Sequence, residues 1–257
     1  MSMRVLITND DGVDSAGIAA LTSVAAELGL DVVVAAPAWD SSGASASLTG
    51  VSSDGRLMVE RRRFESAPDA VVFAVQAAPA MIVRAGVRGA FGPPPDLVLS
   101  GINHGPNTGH AVLHSGTVGA ALTAATHGCR AVAFSLAAAP RPDFSAAAEI
   151  ARHVVRWALD APAPLTLNVN VPSGPPAQVR GLSLARLASF GAVQTKVTEV
   201  GEGYVNLAFA EVDEAGEPGS DAVLLAAGYA TITALSPVCE ADGVDLDDLT
   251  ATVSVRL

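Results

Sequence analysis

Short apolar stretches alternate with amphipathic stretches along the first two thirds of the chain. The pattern begins with a buried strand over residues 4–8 and an amphipathic helix over about 17–28. Further strands are predicted at 31–36, 71–75, 96–100, 130–135 and 165–171, and further helices from Pro79, at 115–126 and at 144–159. Repeated alternation of this kind predicts an α/β fold with a doubly wound, mainly parallel sheet.

The pattern changes after residue 171, where short extended segments are joined by turns that contain glycine and glutamate. These extended segments are 182–187, 194–200 and 204–210. They predict a projecting antiparallel β-hairpin over about 180–215. A short helix and a late strand follow, at 220–227 and 230–234. We expect a single domain over 1–257, in which 216–257 forms a C-terminal segment.

The charge balance limits the classes of partner. The 257 residues include 26 acidic and 15 basic side chains, which gives a formal net charge of −11. An acidic surface repels phosphate backbones, so we expect no stable binding of nucleic acid. No apolar run approaches the roughly 18 residues of a membrane span, and the N-terminal segment lacks the features of a signal peptide. Cys129 and Cys239 lie far apart without a metal-ligand or redox spacing. We therefore expect a cytoplasmic protein without membrane contact.

Polar residues cluster where three predicted strands end, at 9–12, 41–43 and 100–103. In an open α/β sheet, ligands bind beyond the carboxyl ends of the strands. Carboxylate, hydroxyl and amide oxygens are ligands that suit Mg²⁺ or Mn²⁺. The strongest indication is the pair Asp10 and Asp11, because adjacent carboxylates repel each other unless a cation or a shared proton relieves them. The alternative is an ordinary Asp-Asp-Gly turn without a ligand.

A second candidate element, SGTVGAA at 115–121, places small residues and two hydroxyl groups where a helix begins. The free N–H groups and the positive dipole end of a helix N-terminus bind phosphate without needing a lysine. The alternative is a serine or threonine N-cap ahead of an alanine-rich core helix.

With these motifs in order, the chain resembles the SurE family, the stationary-phase survival proteins that act as metal-dependent 5'/3'-nucleotidases. The resemblance covers almost the whole chain and implies a Rossmann-like sheet with a projecting hairpin. The motifs that carry it are ITNDDG at 7–12 with Gly17-Ile18, SGASxSLT at 42–49, SGINxGxNxG at 100–109, SGTVGAA at 115–121, LNVNVP at 167–172, and SD with GYATIT within 220–233. A series of motifs in one order is far more specific than any single motif.

The resemblance implies a single divalent cation, Mg²⁺ or Mn²⁺, with four ligands: Asp10, Asp11, Ser42 and Asn103. It implies that the substrate phosphate is bound by Asn107, Ser115, Gly116 and Thr117. Asn9 and Ser41 would support these residues from close by. The implied reaction is hydrolysis of a nucleoside monophosphate by an activated water, with Asp10 or Asp11 as the proton acceptor. A homodimer or homotetramer is expected by the same analogy, with contacts through the hairpin and 216–257.

The chain departs from the family pattern at positions outside the four implied ligands. Ser41 stands where an arginine precedes the loop serine, and Ala78, Met81 and Ala111 replace a threonine and two aspartates. These losses leave two alternatives open. One is a weakly active or non-catalytic nucleotide-binding paralogue, and the other is a phosphatase for another small phosphoester.

Three of the five histidines, His104, His110 and His114, lie in the same loop. We expect them to be surface or capping residues. The alternative is that His114 lies near the phosphate and partly replaces the lost polar contacts, since histidine can donate a proton near neutral pH.

Two further residues lie close to the predicted site. Trp39 follows the second strand, where an aromatic ring either stacks on a nucleobase or covers the edge of the core; we expect the core role. Asp14 follows the Asp-Asp-Gly turn, and we expect it to cap the first helix.

Overall fold

A computed structural model describes residues 2–65, 67–189, 193–211 and 216–240. Its strands are β1 (Arg4–Thr8), β2 (Asp31–Pro37), β3 (Val59–Arg62), β4 (Val71–Val75), β5 (Leu97–His104), β6 (Arg130–Leu136), β7 (Leu165–Val171), β8 (Leu182–Leu184), β9 (Val193–Gly201), β10 (Tyr204–Glu211) and β11 (Ala230–Ala234). Its α-helices are α1 (Ala16–Glu27), α2 (Pro79–Gly86), α3 (Gly116–Thr126), α4 (Ser145–Asp160) and α5 (Asp221–Ala226). No helix in these ranges is both long and apolar enough to cross a membrane.

Nine of these strands form one sheet in the order β3-β4-β2-β1-β5-β6-β7-β11-β8. The six strands from β4 to β7 in this order pair in parallel. The strand order reverses at β1, which pairs with β2 on one side and β5 on the other. β3 and β11 are antiparallel to their neighbours β4 and β7, and β9 pairs with β10 in a separate antiparallel hairpin. The predicted doubly wound, mainly parallel α/β fold with a hairpin is confirmed.

The core consists of two layers because the central strands are apolar on both faces. One layer joins the sheet to α1 and α4 through side chains such as Leu21 and Val155. The other joins it to α2 and α3 through side chains such as Ile82 and Val118. Each buried aliphatic side chain of this kind contributes roughly 1.5–3 kcal/mol relative to exposure. The two layers thus fix the strand ends at which the polar loops emerge.

Two strands differ from the sequence predictions. β3 was not predicted, because it is an edge strand whose Val59, Glu60 and Arg61 are exposed and show no apolar alternation. The segment that begins at residue 182 was predicted as part of the projecting hairpin. In the structure β8 pairs with β11 at the opposite edge of the main sheet, and the paired hairpin is limited to β9 and β10. Residues 241–257 of the predicted C-terminal segment lie outside the described residues.

The capping residue of α1 also differs from the prediction. Ser15, not Asp14, is the N-cap, and its side chain accepts a hydrogen bond from the N–H of Ile18. The serine hydroxyl competes well for this position because its short side chain reaches the free N–H groups of the first turn. Asp14 is exposed just before it.

Candidate active site at the carboxyl edge of the sheet

The loops after β1 and β2 meet the carboxyl end of β5 at the point where the strand order reverses. The backbone N–H of Ser41 donates a 2.7 Å hydrogen bond to the carbonyl of Asp10. The backbone N–H of His104 donates a 3.1 Å hydrogen bond to Oδ2 of Asp11. All three polar clusters that the sequence singled out therefore converge around the adjacent aspartates, at the position where ligands bind in open α/β sheets.

Asp10 is buried between β1 and the start of α3, with only 4% of its surface exposed. The hydroxyl of Thr117 donates a hydrogen bond to its Oδ1. Burial raises the pKa of Asp10, and the Thr117 hydroxyl and the N–H groups of Gly116 and Thr117 oppose that rise. The helix N-terminus that was expected to meet the substrate phosphate therefore also holds a carboxylate of the protein.

Gly116 is required for this contact. A Cβ atom at position 116 would lie 2.7 Å from Oδ2 of Asp10, which is closer than real Cβ contacts allow. A side chain there would push the carboxylate away from the helix. This close contact with Asp10 explains why the second position of the SGTVG motif is a glycine.

Asp11 is less buried than Asp10, and its pKa is also raised. Burial raises its pKa to about 6, the N–H of His104 opposes the rise, and the negative charges of Asp10 and Asp40 add to it. Two carboxylates with raised pKa values side by side favour a bound cation or proton between them.

Asn103 adds an amide oxygen to the cluster, whereas the hydroxyl of Ser42 is hydrogen-bonded to Asp40 in the neighbouring loop. Asn103 donates from Nδ2 to the carbonyl of Gly105 at 2.7 Å, which directs its Oδ1 towards the Thr117 hydroxyl, 3.3 Å away. The N–H and hydroxyl of Ser42 donate to Oδ1 of Asp40 at 2.9 and 2.6 Å, and these bonds lower the pKa of Asp40. The hydroxyl of Thr117 therefore lies between an oxygen of Asp10 and an oxygen of Asn103.

The donor set fits a hard divalent cation. It offers two carboxylates, one amide oxygen and one hydroxyl, which are the donors that Mg²⁺ and Mn²⁺ take from proteins. Among the described residues, no three His, Cys, Asp or Glu side chains group together in a way that would hold a metal ion. A cation at this site would thus take protein ligands from neutral oxygens as well as from Asp10 and Asp11. The mutual repulsion of these two carboxylates is what such a cation would relieve.

Asn107 is fixed through its backbone by two other asparagines. Its N–H donates to Oδ1 of Asn170 at 2.8 Å, and its carbonyl accepts from Nδ2 of Asn168 and of Asn170 at 2.8 and 2.9 Å. Its own Nδ2 donates to the hydroxyl of Ser135 at 2.8 Å. The turn at Asn107 is therefore clamped to β6 and β7.

Ser115 is the N-cap of α3. Its Oγ accepts a 3.1 Å hydrogen bond from the N–H of Val118, which leaves its own hydroxyl proton for another acceptor. The phosphate-binding roles of Asn107, Ser115, Gly116 and Thr117 stay predictions.

Asn168 and Asn170 belong to the LNVNVP motif, and the sequence pattern assigns neither of them a role. They are two positions apart on β7, both fully buried, and Asn170 is in register with Ser135 of β6. Buried asparagines in a central strand are costly unless they are hydrogen-bonded, so their presence was the signal that could have identified them.

Asp221 is a second residue whose role sequence reasoning missed. It is fully buried at the start of α5, and its Oδ2 accepts a 2.9 Å hydrogen bond from the N–H of Gly109. Its Oδ1 accepts from the N–H groups of Ala188 and Ala222 at 3.0 and 2.8 Å. One buried carboxylate thus ties the loop after β5 to the C-terminal part of the sheet.

Asn9 and two of the loop histidines lie in the loops that surround the site. Asn9 donates from Nδ2 to the carbonyl of Gly12 and to the Ser15 hydroxyl at 2.9 and 2.8 Å, which stabilises the turn that carries the aspartates. His114 is exposed at the end of a 3₁₀ helix over Gly109–His114, directly before Ser115. The alternative role of His114 beside the phosphate stays a prediction. The N–H of His110 donates to the carbonyl of Ala188, which anchors that 3₁₀ helix.

Comparison with known proteins agrees with this geometry. The family model described as "Survival protein SurE" matches residues 5–192. The chain belongs to the SurE family. The resemblance found in the sequence is therefore confirmed. The matched span includes the four implied metal ligands, whose roles stay predictions.

Curated relatives in the SurE family match most of the chain. A protein of Synechococcus sp. (strain JA-3-3Ab) named 5'-nucleotidase SurE is 36% identical over 241 residues, which cover 91% of this chain and 92% of that protein. A protein of the same name from Pseudomonas putida (strain KT2440) is 39% identical over 239 residues, with the same coverage. A third, from Anaeromyxobacter sp. (strain K), is 45% identical over 188 residues, covering 72% of this chain and 68% of its own.

A solved SurE structure has the same fold. The crystal structure of the SurE protein from Aquifex aeolicus superposes with a TM-score of 0.77 at 29% identity. The match covers 97% of this chain and 98% of that chain. The main sheet and the separate hairpin therefore belong to the architecture of the family.

Proposed function

We propose that the protein is a divalent-metal-dependent phosphomonoesterase, a 5'-nucleotidase that hydrolyses nucleoside monophosphates to nucleoside and phosphate. The observation that carries the proposal is the pair of adjacent carboxylates, the buried Asp10 and the half-buried Asp11, at the point where the strand order reverses. The names of the curated relatives, 5'-nucleotidase SurE, support the same reaction.

In this proposal one Mg²⁺ or Mn²⁺ is held by Asp10, Asp11, Ser42 and Asn103. When bound, such a cation neutralises charge on the phosphoryl group and activates a water molecule for attack on phosphorus. The chain itself contributes the positions of these oxygens. The Thr117 hydroxyl orients Asp10 and Asn103, and the backbone of His104 orients Asp11.

The two aspartates have different roles in the proposed reaction. Asp10 is enclosed by the first turn of α3 and one of its oxygens already accepts the Thr117 hydroxyl, so it serves to hold the cation. Asp11 is more open to the cleft and accepts only the N–H of His104 at one oxygen. We therefore assign to Asp11 the acceptance of the proton released by the attacking water.

The phosphate is bound in this proposal by the loop between β5 and α3. The side chain of Asn107 and the hydroxyl proton of Ser115 supply donors, and Gly116 allows the phosphate and Asp10 to approach the same helix turn. Clamping of Asn107 by Asn168 and Asn170 fixes the position of these donors before the substrate arrives. Positioning of this kind is the main catalytic contribution in phosphoryl transfer.

Phosphate release from a panel of 5'- and 3'-mononucleotides, with Mg²⁺, Mn²⁺ or EDTA, tests the proposal. We expect release that requires the metal and falls by at least roughly a hundredfold in Asp11→Asn, the range for loss of a general base. Asp160→Asn, at the exposed end of α4, is the control for the loss of one negative charge. Release that persists in EDTA or in Asp11→Asn would overturn the proposed site. Nucleotide binding without release would favour a non-catalytic paralogue.

We also propose that the protein forms a homodimer or homotetramer through its hairpin. Apolar side chains on β9 and β10 face solvent in the single chain: Val197, Val200, Tyr204 and Val205 are each more than half exposed. An exposed apolar surface on a projecting hairpin is typical of a protein interface. Light scattering coupled to gel filtration would test this, with a shift to monomer expected for Val200→Asp.

We place the protein in the cytoplasm. The thiols of Cys129 and Cys239 are both free, which suits a reducing compartment. A fluorescent fusion in living cells would test this location.

A further inference from the structure

We propose that Trp39 is the base-stacking residue of the nucleotide site, and that its cleft favours purine over pyrimidine nucleoside monophosphates. This inference rests on the proposed function and adds the part of the substrate that the metal centre does not touch. It replaces the expectation that Trp39 covers the edge of the core.

Trp39 is held directly beside the aspartate turn. A Cβ atom at Gly12 would lie 3.2 Å from the carbonyl carbon of Trp39, so the two backbones are in contact. The N–H of Val13 donates to the carbonyl of Pro37 at 2.8 Å, and the N–H of Ser41 donates to the carbonyl of Asp10 at 2.7 Å. The tryptophan is thus bracketed by two hydrogen bonds that join its loop to the proposed metal centre.

Trp39 is one of the residues that line an open cleft. The side chain remains 45% exposed although it belongs to a large aromatic residue. The cleft has a volume of about 430 Å³, and its walls include Ser41, Ser42, Ser47, Thr49 and Ala78. That volume lies within the roughly 300–1,000 Å³ range of sites for small organic ligands. Ser42 also belongs to the proposed metal site, so the cleft adjoins that site.

The walls of the cleft suit a neutral planar group. None of the residues that line it is charged. Two of the lining residues are joined by a hydrogen bond. The N–H of Ala78, directly before α2, donates to the carbonyl of Thr49 at 3.1 Å, which fixes this part of the wall. The hydroxyls of Ser47 and Thr49 are hydrogen-bonded to each other at 3.1 Å. A nucleobase would therefore be recognised by stacking and by weak hydroxyl contacts rather than by a charged partner.

If the base is recognised by stacking and not by a charged side chain, the cleft should prefer purines to pyrimidines. Every nucleobase has a π-face, so an aromatic platform accepts all bases but binds the larger ring systems better. A purine covers more of the Trp39 ring than a pyrimidine does. We therefore expect lower KM values for purine nucleoside monophosphates, with kcat values that depend little on the base.

The first test compares AMP with ribose 5-phosphate, which has the same phosphoester without the base. We expect Trp39→Ala to lower the ratio of kcat/KM for AMP over ribose 5-phosphate on the order of tenfold, mainly through KM, which is within the range measured for base–aromatic stacking. Trp39→Phe should restore most of the ratio. Trp157→Ala, on α4, is the matched control, because Trp157 is also exposed, at 58%. An unchanged ratio in Trp39→Ala would overturn the inference.

Tryptophan fluorescence gives a second test that does not depend on turnover. The chain has only two tryptophans, so Trp157→Phe leaves Trp39 as the single indole. We expect AMP to quench this fluorescence at lower concentrations than CMP, and to leave the fluorescence of Trp39→Phe unchanged. Equal signals from both variants would contradict stacking on Trp39. If wild-type protein released phosphate from neither AMP nor ribose 5-phosphate, the proposed function would fail. The quenching experiment would still test whether Trp39 stacks on the base.

Discussion

The hydroxyl of Thr117 donates a hydrogen bond to the carboxylate of Asp10 across 107 residues of sequence. The same hydroxyl lies 3.3 Å from Oδ1 of Asn103. One side chain at the start of α3 thus aligns an oxygen from the loop after β1 with an oxygen from the carboxyl end of β5. The position of the proposed metal ligands depends on this helix as much as on the strands that carry them.

Thr117→Val removes this hydroxyl while keeping the shape of the side chain. We expect the affinity for Mn²⁺ and kcat/KM each to fall at least roughly tenfold, because a buried carboxylate loses a charge-assisted donor. Thr117→Ser should restore most of both. Thr123→Val, which removes a hydroxyl bonded only to the Gly119 carbonyl on the same helix, is the control. Isothermal titration with Mn²⁺ and steady-state assays measure the two quantities, and equal losses in both valine variants would contradict the assigned role.

Gly116→Ala tests the close approach of α3 to Asp10. In a free helix this substitution stabilises by roughly 0.5–1 kcal/mol, because glycine loses more conformational freedom. Here the added Cβ atom would meet Oδ2 of Asp10 at 2.7 Å, so we expect weaker binding of Mn²⁺ and a loss of activity of about a hundredfold or more.

Gly128→Ala serves as the comparison for this prediction. Gly128 follows the same helix with a positive φ of 81° and open space around it, so its replacement strains the backbone without touching the site. We expect it to reduce stability and to keep metal binding. Full activity in Gly116→Ala would show that Asp10 does not need its contact with the helix.

Asp11→Asn should stabilise the metal-free protein while it abolishes activity. The folded-state pKa of about 6 lies above the ordinary value of 3.8, so the native state binds more protons than the unfolded state between these values. The free energy of unfolding therefore falls as the pH rises from about 4 to about 6, and the loss persists at higher pH. Asparagine does not ionise and avoids this loss.

Urea unfolding in EDTA measures the effect. At pH 7 we expect Asp11→Asn to be more stable than the wild type by about 1–2 kcal/mol, a value reduced for the partial solvent exposure of the group. Near pH 4 the difference should vanish. A variant that is less stable than the wild type at pH 7 would contradict the destabilising charge at Asp11.

Asp221→Asn tests the buried carboxylate that ties Gly109 to α5. An asparagine side chain has one acceptor oxygen, so it cannot accept from Gly109 on one side and from Ala188 and Ala222 on the other. We expect a loss of stability of roughly 1–3 kcal/mol, since a buried N–H is left unpaired. The loop that carries Asn107 should also shift, which raises KM for nucleotides several-fold. Steady-state kinetics of the folded fraction would check this, and an unchanged KM would confine Asp221 to a role in stability.

The strand pattern was predictable where burial dictated it. β1, β4, β7 and β11 have the bounds that the sequence predicted, because apolar or β-branched residues make up most of each strand. β3 escaped prediction because an exposed edge strand needs no apolar alternation. The partner of β8 was not predictable, since residue 182 pairs with residue 230 and local sequence carries no information about that register.

The site was predictable to the level of its loops. The carboxylates and the glycine-rich helix start are local motifs with a physical reason, and the complete ligand set came from the family resemblance. The clamp on Asn107 was not predictable, because Asn168 lies 61 residues away and Asp221 lies 112 residues from Gly109. Hydrogen bonds over such separations are set by topology and leave only a weak signal, a polar residue in an otherwise apolar strand.

The contact between Asp221 and Gly109 also sets an order of events during protein synthesis. Every proposed metal ligand leaves the ribosome more than a hundred residues before Asp221 does. The N-terminal strands and helices can begin to pair at that stage, since domains fold as chain length becomes sufficient. The loop that positions the substrate gains its buried anchor only when α5 has emerged and β11 has entered the sheet beside β7. Full organisation of the site is thereby deferred until residues 221–234 have been synthesised.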